Sequence, residues 1–296
     1  MPNDNIRAAL YMMAGSSAFA VNDTFIKLLG REMGMFQIFV LRGIVVSAIF
    51  GLIVWHARVV FADLTRADRN FLLIRSASEA FAAFFFFNAL FNMPLANVTA
   101  ILQVVPLAVA LAAFLVLNEP LGWRRLTAIL IGFGGVMLIV QPGTDSFAMA
   151  SIHALACVVM VTLRDLSTRM MAVKVPSSLV ALTTSLGVML FGVFGSIFET
   201  WVMPSPRAWV WLSGTVLFAC LGYYLIILAM RVGEISFAAP FRYASLVAAI
   251  LLGWFALNEW PDNLTFIGSA IVVATGVFAL YRERQLQARI RAAQTG

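Results

Sequence analysis

Among the charged side chains inside long apolar stretches of the sequence, five stand out, and most of their neighbours are aliphatic or aromatic. They are Asp23, Arg42, Glu79, Asp165 and Arg242. A charge inside a membrane-crossing stretch is costly, so it is normally turned towards a partner, a water-filled cavity or a substrate path. Carboxylates and guanidinium groups suit proton transfer, ion pairing and the closing of a gate. We therefore expect gating or coupling roles for these five residues and assign no catalytic residue.

Depth along the stretches pairs four of these charges. Asp23 lies about fifteen residues into the first stretch and Arg42 about seven into the second, which runs the opposite way, so their depths are similar. Asp165 in the sixth stretch and Arg242 in the ninth also lie at similar depths, near the opposite side of the membrane. We expect the two pairs to close opposite sides alternately. The alternatives are that each Arg reaches its nearer interface while each Asp caps a helix end, or that Arg164 is the partner of Asp165.

Glu79 is the most unusual residue of the third stretch. It lies about eight residues, or ~12 Å, from the nearer end of a helix. Arg75 stands four residues earlier on the same helical face and could neutralise its charge. A structural ion pair, a role in proton coupling or substrate contact, and simple exposure to water all remain open for Glu79.

Six phenylalanines lie between Phe81 and Phe91 in the same stretch, and helical spacing selects one face among them. Phe81, Phe84, Phe85 and Asn88 follow the i, i+3, i+4, i+7 pattern. Three rings and one amide are suited to a planar, partly polar ligand, because rings stack and an amide orients. The alternative is that these rings serve bulk packing and contact with lipid.

Two prolines predict breaks in the fourth and ninth stretches. Pro106 and Pro240 each remove one backbone hydrogen bond from a helix interior. Broken helices commonly line the binding sites of transporters. Gln103 beside the first break and Tyr243 after the second are therefore candidate substrate contacts, although both breaks could be simple tolerated kinks.

The sequence offers no metal site and no nucleotide cofactor site. Cys157 and Cys220 are far apart in the sequence, and His153 has no second ligand at i+3 or i+4. A phosphate-binding loop of the G-x-x-x-x-G-K-[ST] type is missing. We predict that the protein uses no cofactor, and we expect the cysteines and the histidine to be packing residues or, for His153, to face a pore.

Composition identifies the elements that must position these residues. Of the 296 residues 62% are hydrophobic and only 11% charged, against about 25% charged in soluble domains. Ten continuous apolar runs are long enough to cross a bilayer, which predicts an all-α integral membrane protein with ten transmembrane helices. The runs are Ala8–Leu29, Met35–His56, Phe71–Phe91, Ala96–Leu117, Arg125–Val140, Phe147–Met171, Ser177–Phe198, Ala208–Met230, Ile235–Leu257 and Leu264–Tyr281. In the fifth run Gly132, Gly134 and Gly135 predict close contact with another helix rather than a break.

The distribution of basic residues orients the chain. Fourteen of the 20 Lys and Arg residues fall on the side of the two termini or at the run ends nearest to it, and three fall on the other side in the same sense. The remaining three, Arg42, Arg164 and Arg242, lie deep within the runs. This bias places both termini in the cytoplasm. It also accounts for the net charge of +6 without nucleic acid, and it puts the Asp23–Arg42 pair towards the outer side.

A repeated corner divides the chain into halves. The stretch NEPLGWRR begins at Asn118 and the stretch NEWPDNLT at Asn258, so their glutamates are 140 residues apart. Five spans per half force the second half to insert upside down, as in secondary transporters with inverted repeats. We expect a first repeat over residues 1–142, a second over 147–284 and a basic cytoplasmic tail over 285–296.

Motifs in both halves resemble the EamA family of the drug/metabolite transporter superfamily. The first half contains FxxNDxxxK, FVLRG, NMPLANVTAILQVVPL, NEPLGWRR and GFGGVMLIV, and the second contains APFRYASLV and NEWPD. The resemblance covers nearly the whole chain. Within the family, the sequence resembles in particular a subgroup that includes S-adenosylmethionine and riboflavin carriers of alphaproteobacteria. The resemblance implies proton-coupled or exchange transport without ATP.

Together these observations predict a secondary transporter of a small planar metabolite in the bacterial inner membrane. Riboflavin uptake is the first expectation; uptake of S-adenosylmethionine and export of amino acids or drugs are the alternatives. A membrane enzyme or receptor would need a clustered catalytic set or a sizeable loop, and the sequence has neither. The expected partners are the small-molecule substrate and the lipid bilayer, and the expected state is a monomer.

Overall fold

The apolar runs fold as helices, because a backbone surrounded by lipid must satisfy its hydrogen bonds within one segment. The computed structural model describes residues 2–58, 64–119, 121–142, 149–172, 175–232 and 234–295, and this part of the chain contains no strand. Its helices are α1 (Pro2–Leu29), α2 (Met35–His56), α3 (Arg66–Asn92), α4 (Leu95–Leu102), α5 (Val105–Leu117), α6 (Trp123–Val140), α7 (Met149–Met170), α8 (Ser177–Gly195), α9 (Pro206–Val232), α10 (Ile235–Ala238), α11 (Ala244–Leu257) and α12 (Asn263–Thr295). Short 3₁₀ turns follow α8 and α10, at Ser196–Phe198 and Ala239–Tyr243. The all-α prediction is confirmed.

Ten long helical segments correspond to the ten predicted runs. Within the described residues nine of them, counting α4 with α5 as one, have the length and hydropathy of a membrane span. The remaining one is α1, which is 28 residues long and carries charges at both ends. Phe147 at the start of the sixth run, Lys174 of the cytoplasmic count and Pro120 of the first corner lie outside the described residues. The last helix continues past the predicted tenth span as far as Thr295.

The chain divides into two compact units, and each contains segments of both halves. The first unit takes in Met1–Thr24, Met93–Ser151 and Leu217–Gly296, and the second takes in Phe25–Asn92 and Ile152–Val216. In the first unit α6 packs along α12, and α4 packs on α11. In the second unit α2 and α3 pack on α8. The α2–α8, α4–α11 and α6–α12 partners occupy matching places in the two five-span halves, as the inverted repeat predicts.

Two glycines bring α6 and α12 into near-backbone contact. A Cβ atom added to Gly135 would lie 2.9 Å from the carbonyl oxygen of Gly268, and one added to Gly268 would lie 2.5 Å from that of Gly135. Gly132 is also crowded, because a Cβ there would lie 2.5 Å from a methyl of Leu107. Gly134 has open space instead. The predicted close contact is confirmed for two of the three glycines in the fifth span and is wrong for Gly134.

Both predicted helix breaks are present. Helix α4 ends at Leu102 and α5 begins at Val105, with Pro106 in its first turn, where a proline is tolerated. Pro240 lies in the first turn of the 3₁₀ segment that separates α10 from α11. Each break therefore precedes the longer part of its span.

The two Asn-Glu corners have the same backbone geometry. Asn118 and Asn258 end their helices in the left-handed conformation, with φ of 54° and 56°. Asparagine is one of the few residues that adopts this conformation readily. The glutamate after each asparagine donates its N–H to the carbonyl six residues back, at 3.3 Å for Glu119 and 2.8 Å for Glu259. The sequence repeat is therefore a repeat of structure.

The helix starts in the second unit are held by polar contacts. Glu199 accepts the N–H of Gln37 in the first turn of α2 at 3.0 Å. The buried amide of Gln37 also exchanges two hydrogen bonds with the backbone of Val202, at 2.7 and 3.2 Å. Thr65 and Ser205, which are 140 residues apart, cap α3 and α9 through N–H bonds of 3.1 Å.

Candidate functional site

A cluster of aromatic rings forms in the second unit around the middle of α3. Phe84 lies at its centre, nearly parallel to Phe36 of α2 with ring centroids 6.1 Å apart, and edge-on to Phe191 of α8 at 6.0 Å. Phe85 contacts Phe84 at 5.4 Å, and Phe81 contacts Phe191 at 5.5 Å. We call these five rings the aromatic cluster. Their offset and edge-to-face arrangements are those that stabilise aromatic pairs.

The structure brings the four residues of the predicted face together, and it also shows what they pack against. Phe81 is among the exposed rings, whereas Phe85 extends the cluster to His153 of α7, with ring centroids 6.0 Å apart. The amide of Asn88 donates to the carbonyl oxygen of Phe84 at 2.8 Å and to the sulfur of Met35 at 3.6 Å. Part of each side chain therefore packs against the protein itself, as the packing alternative holds. The binding role of the face stays a prediction.

A charged cluster links α3 to α7. Arg164 binds Glu79 through Nη1 and Oε2 at 2.9 Å, and binds Asp165 through Nε and Oδ1 at 2.8 Å. The sequence offered Arg75 as the neutralising partner of Glu79, but the structure gives Glu79 a cation from another helix. Arg75 instead donates to the hydroxyl of Thr168. The i, i+4 rule describes an isolated helix, and here a tertiary partner takes precedence.

We call Glu79, Arg164 and Asp165 the charged cluster; two carboxylates share a single guanidinium, so these three side chains together carry one excess negative charge. Arg75, one helical turn before Glu79, is a separate cation that binds Thr168. The side chains of Arg164 and Glu79 are each 26% exposed, and that of Asp165 is 35% exposed. Because these charges are only partly buried, the surrounding solvent weakens their attraction to other charges but does not abolish it. The cluster can therefore attract a cation, whether a proton or a positively charged group of a ligand.

The first unit contains the predicted contacts at the helix breaks. Gln103 is buried and donates from Nε2 to the hydroxyl of Ser245 at 2.9 Å, which joins the two breaks. Tyr243 is 5% exposed, and its hydroxyl has no hydrogen-bond partner among the described residues. A Cβ atom at Gly276 would lie 1.7 Å from that hydroxyl, so only glycine fits there. A buried hydroxyl without a partner is unfavourable unless a ligand or water satisfies it.

The predicted gate residues are placed as follows. Asp23 is partly buried in α1 and accepts a hydrogen bond from its neighbour Asn22 at 2.8 Å, and Arg42 is partly buried in α2. Asp165 binds Arg164, the partner that the sequence named as the alternative. Arg242 is exposed, and its carbonyl accepts from Ser245. The alternating pairs stay predictions.

Residues that could hold a metal are scattered. In the part of the chain that the structure describes, no three His, Cys, Asp or Glu side chains come together. Cys157 is buried and Cys220 is exposed, and both are free thiols. Nothing in the described geometry points to a bound cofactor.

Sequence reasoning missed Phe36 and Phe191 and gave Arg164 only a secondary place. The two rings come from helices whose contact with α3 is not encoded in any local pattern. For Arg164 a signal was present, because it is a cation directly beside Asp165 inside an apolar span. Counting charges within the spans by depth would have placed it near Glu79.

Comparison with protein families gives one match to each half of the chain. The model described as the EamA-like transporter family matches residues 6–141 and 148–282. The two matched segments include every candidate site residue.

Comparison with individual proteins gives distant relatives. The chain is 22% identical to an S-adenosylmethionine uptake transporter of Rickettsia prowazekii, with 90% of both chains covered. It is 27% identical to a riboflavin transporter of Vibrio cholerae, over 68% of this chain and 67% of the relative. A crystal structure with 21% identity superposes with a TM-score of 0.60 over 94% of this chain and 98% of the other, which supports the fold.

Proposed function

The chain belongs to the EamA-like transporter family, and on this premise we propose that it imports a positively charged metabolite with a planar ring system, with S-adenosylmethionine as the first candidate. At the level of the family it is a multi-pass membrane transporter of small molecules. The relatives named above are transporters too, and none is an enzyme. The substrate and the direction of transport are the proposed part.

The observation that carries this proposal is the excess negative charge of the Glu79–Arg164–Asp165 cluster. S-adenosylmethionine combines a planar adenine with a sulfonium and an ammonium group, and its carboxylate leaves it with a net positive charge. A carboxylate without a full counter-charge attracts such a ligand, while aromatic faces bind both its ring and its cation. Helices α3 and α7 supply both kinds of group, through Phe84, Phe85 and the charged cluster.

Similarity in sequence supports the same substrate. The Rickettsia prowazekii relative, an S-adenosylmethionine uptake transporter, matches over 90% of both chains. Sequence reasoning alone put riboflavin first, on the strength of the aromatic face. Riboflavin remains the second candidate because of the Vibrio cholerae relative, but it is neutral and makes no use of the excess charge.

Exchange in proteoliposomes tests the proposal. Vesicles that contain the purified protein and are loaded with unlabelled S-adenosylmethionine should accumulate labelled S-adenosylmethionine faster than protein-free vesicles do. Vesicles loaded with riboflavin are the matched comparison. Exchange of riboflavin alone would replace the first candidate with the second, and exchange of neither would remove both.

Uptake into cells tests the direction. Cells that express the protein should take up external S-adenosylmethionine faster than cells with an empty vector. For the second candidate, a riboflavin auxotroph should grow at low external riboflavin only when the protein is present. Exchange in vesicles without uptake in cells would indicate export instead.

A further inference from the structure

The short helices that precede the two breaks begin in the same way. The carbonyl of Pro94 accepts the N–H groups three and four residues on, at 3.0 and 3.2 Å, and the carbonyl of Glu234 does so at 2.9 and 3.1 Å. Pro94 and Glu234 are 140 residues apart, as are the first helical residues Leu95 and Ile235. The starts of α4 and α10 are therefore equivalent positions of the repeat.

One of these starts is held by a glutamate from the opposite half. The N–H of Leu95 donates to Oε2 of Glu259 at 2.9 Å, and the residue before it, Pro94, provides no side-chain cap. A carboxylate at a helix start accepts a charge-assisted hydrogen bond and is favoured by the helix dipole. The second unit uses the same device, where Glu199 accepts the N–H of Gln37.

We infer that Glu119 is the counterpart of Glu259, and that its carboxylate accepts the N–H of Ile235 at the start of α10. Each glutamate follows an asparagine with the same left-handed conformation and closes its corner with the same backbone hydrogen bond. The donor it would reach is the equivalent first residue of the equivalent helix. All of these residues belong to the first unit. The Asn-Glu corner occurs twice because each half anchors the broken span of the other.

The two anchors make Glu119 and Glu259 positioning residues. Gln103 is eight residues from Leu95, and Tyr243 is eight residues from Ile235, so each anchor lies at the far end of a short helical segment from a candidate substrate contact. Fixing the start of such a segment sets the depth and the rotation of the residue at its break. Loss of an anchor should therefore weaken substrate binding, a consequence that rests on the proposed function.

A mutant cycle tests the hydrogen bond without reference to any substrate. Proline is accepted at the first position of a helix but has no N–H, so Ile235→Pro removes the donor while Ile235→Ala keeps it. In the wild-type background, we expect I235P to lower the melting temperature more than I235A does. In the Glu119→Ala background the acceptor is missing, so I235P and I235A should lower the melting temperature by equal amounts. The same cycle with L95P, L95A and Glu259→Ala is the positive control. The inference would be overturned if I235P lost as much melting temperature relative to I235A without Glu119 as with it, while the control cycle showed coupling.

Transport separates positioning from simple loss of stability. E119A and E259A should each raise the half-saturating substrate concentration about two- to thirtyfold, with the maximal rate per folded protein retained. E119Q and E259Q keep an acceptor oxygen and should stay close to wild type. A fall in maximal rate alone, without a change in half-saturation, would contradict the positioning role. If neither candidate substrate is transported, the proposed function fails while the mutant cycle still decides the hydrogen bond.

Discussion

At the scale of single residues, Arg164 sets the charge balance of the charged cluster that it forms with Glu79 and Asp165. Its two hydrogen bonds to Glu79 and Asp165 use one oxygen of each carboxylate and balance one of the two negative charges. A site that stays negative discriminates between substrates by their charge, because the attraction acts on a cation and not on a neutral ring system. The two candidate substrates differ in this property.

Glu79→Gln removes the excess charge and should change selectivity. We expect it to raise the half-saturating concentration of S-adenosylmethionine about tenfold and to leave that of riboflavin unchanged. Asp165→Asn removes the same charge from the other side of Arg164 and should give the same pattern. Competition of each compound against labelled substrate in proteoliposomes measures both effects. An equal loss for both compounds would indicate a structural role instead.

The aromatic cluster gives a second prediction at this scale. Phe84→Ala or Phe85→Ala should weaken transport of a ring-bearing substrate by about 0.5–1.5 kcal/mol, or up to about tenfold, through loss of stacking. Phe194→Ala is the control, since this ring is exposed and contacts only Phe198 among the described aromatic residues. Uptake is compared at equal amounts of protein in the membrane. Unchanged uptake in both cluster variants would favour the packing interpretation.

Asp262 caps α12 and should make stability depend on pH in acid. Partial burial alone would raise the pKa of its carboxyl, but hydrogen bonds from Thr265 and Gln141 outweigh it and hold the pKa below the ordinary 3.8. The ionised carboxylate therefore stabilises the fold fully above the ordinary pKa, and this contribution is lost as the pH falls through the lower, folded value. Asp262→Asn keeps a capping oxygen without the charge. We expect the melting temperature of wild type to exceed that of D262N near neutral pH, and the difference to shrink as the pH falls below the ordinary pKa and to vanish below the folded pKa. A difference that stays constant with pH would contradict this role.

At the scale of elements, the α6–α12 contact shows how small residues hold membrane helices together. Lipid tails are as apolar as leucine, so helices associate through close packing rather than through the hydrophobic effect. Gly135 and Gly268 allow each backbone to approach the carbonyl of the other. A single methyl group on either residue must push the helices apart.

Alanine substitutions at these glycines should distinguish the effect of close contact between helices from that of helix propensity. Gly135→Ala and Gly268→Ala should destabilise the protein by about 1–3 kcal/mol through overpacking. Gly134→Ala, one residue away with open space around it, should be neutral or stabilise by up to about 1 kcal/mol through higher helix propensity. Thermal unfolding in one detergent compares the three. Equal behaviour of all three variants would contradict the close contact.

Element-level features followed from the sequence where the signal was local. The apolar runs predicted the helices, Pro106 and Pro240 predicted the breaks, and the 140-residue spacing predicted two matching corners. The candidate site was less predictable, because its partners come from different helices. Glu79 was matched with its neighbour on the same helix, whereas the structure pairs it with Arg164 of α7. One-dimensional spacing says nothing about which helices meet.

At the scale of the whole molecule, we expect ten crossings to place both termini on one side, and the excess of Lys and Arg on that side predicts that it is the cytoplasm. Topology reporters test this orientation. Fusions after Arg125 and after Arg291 should both report the cytoplasm, and a fusion near Asp262 should report the periplasm. The control is a fusion near Arg207, which we expect on the outer side, so that it should agree with the fusion near Asp262. A cytoplasmic signal near Asp262 would contradict the inverted arrangement.

The pairing of α2 with α8 and of α6 with α12 has a consequence for how the protein is made. Helices α2 and α6 enter the bilayer before their partners have been translated. The face of α6 that carries Gly135 is therefore exposed to lipid until α12 has been inserted. A nascent chain halted between the halves would present unpaired surfaces to membrane chaperones and proteases. Conversely, two messages that encode residues 1–142 and 147–296 separately should supply matching partners, and the two polypeptides should assemble into an active carrier when translated in the same cell.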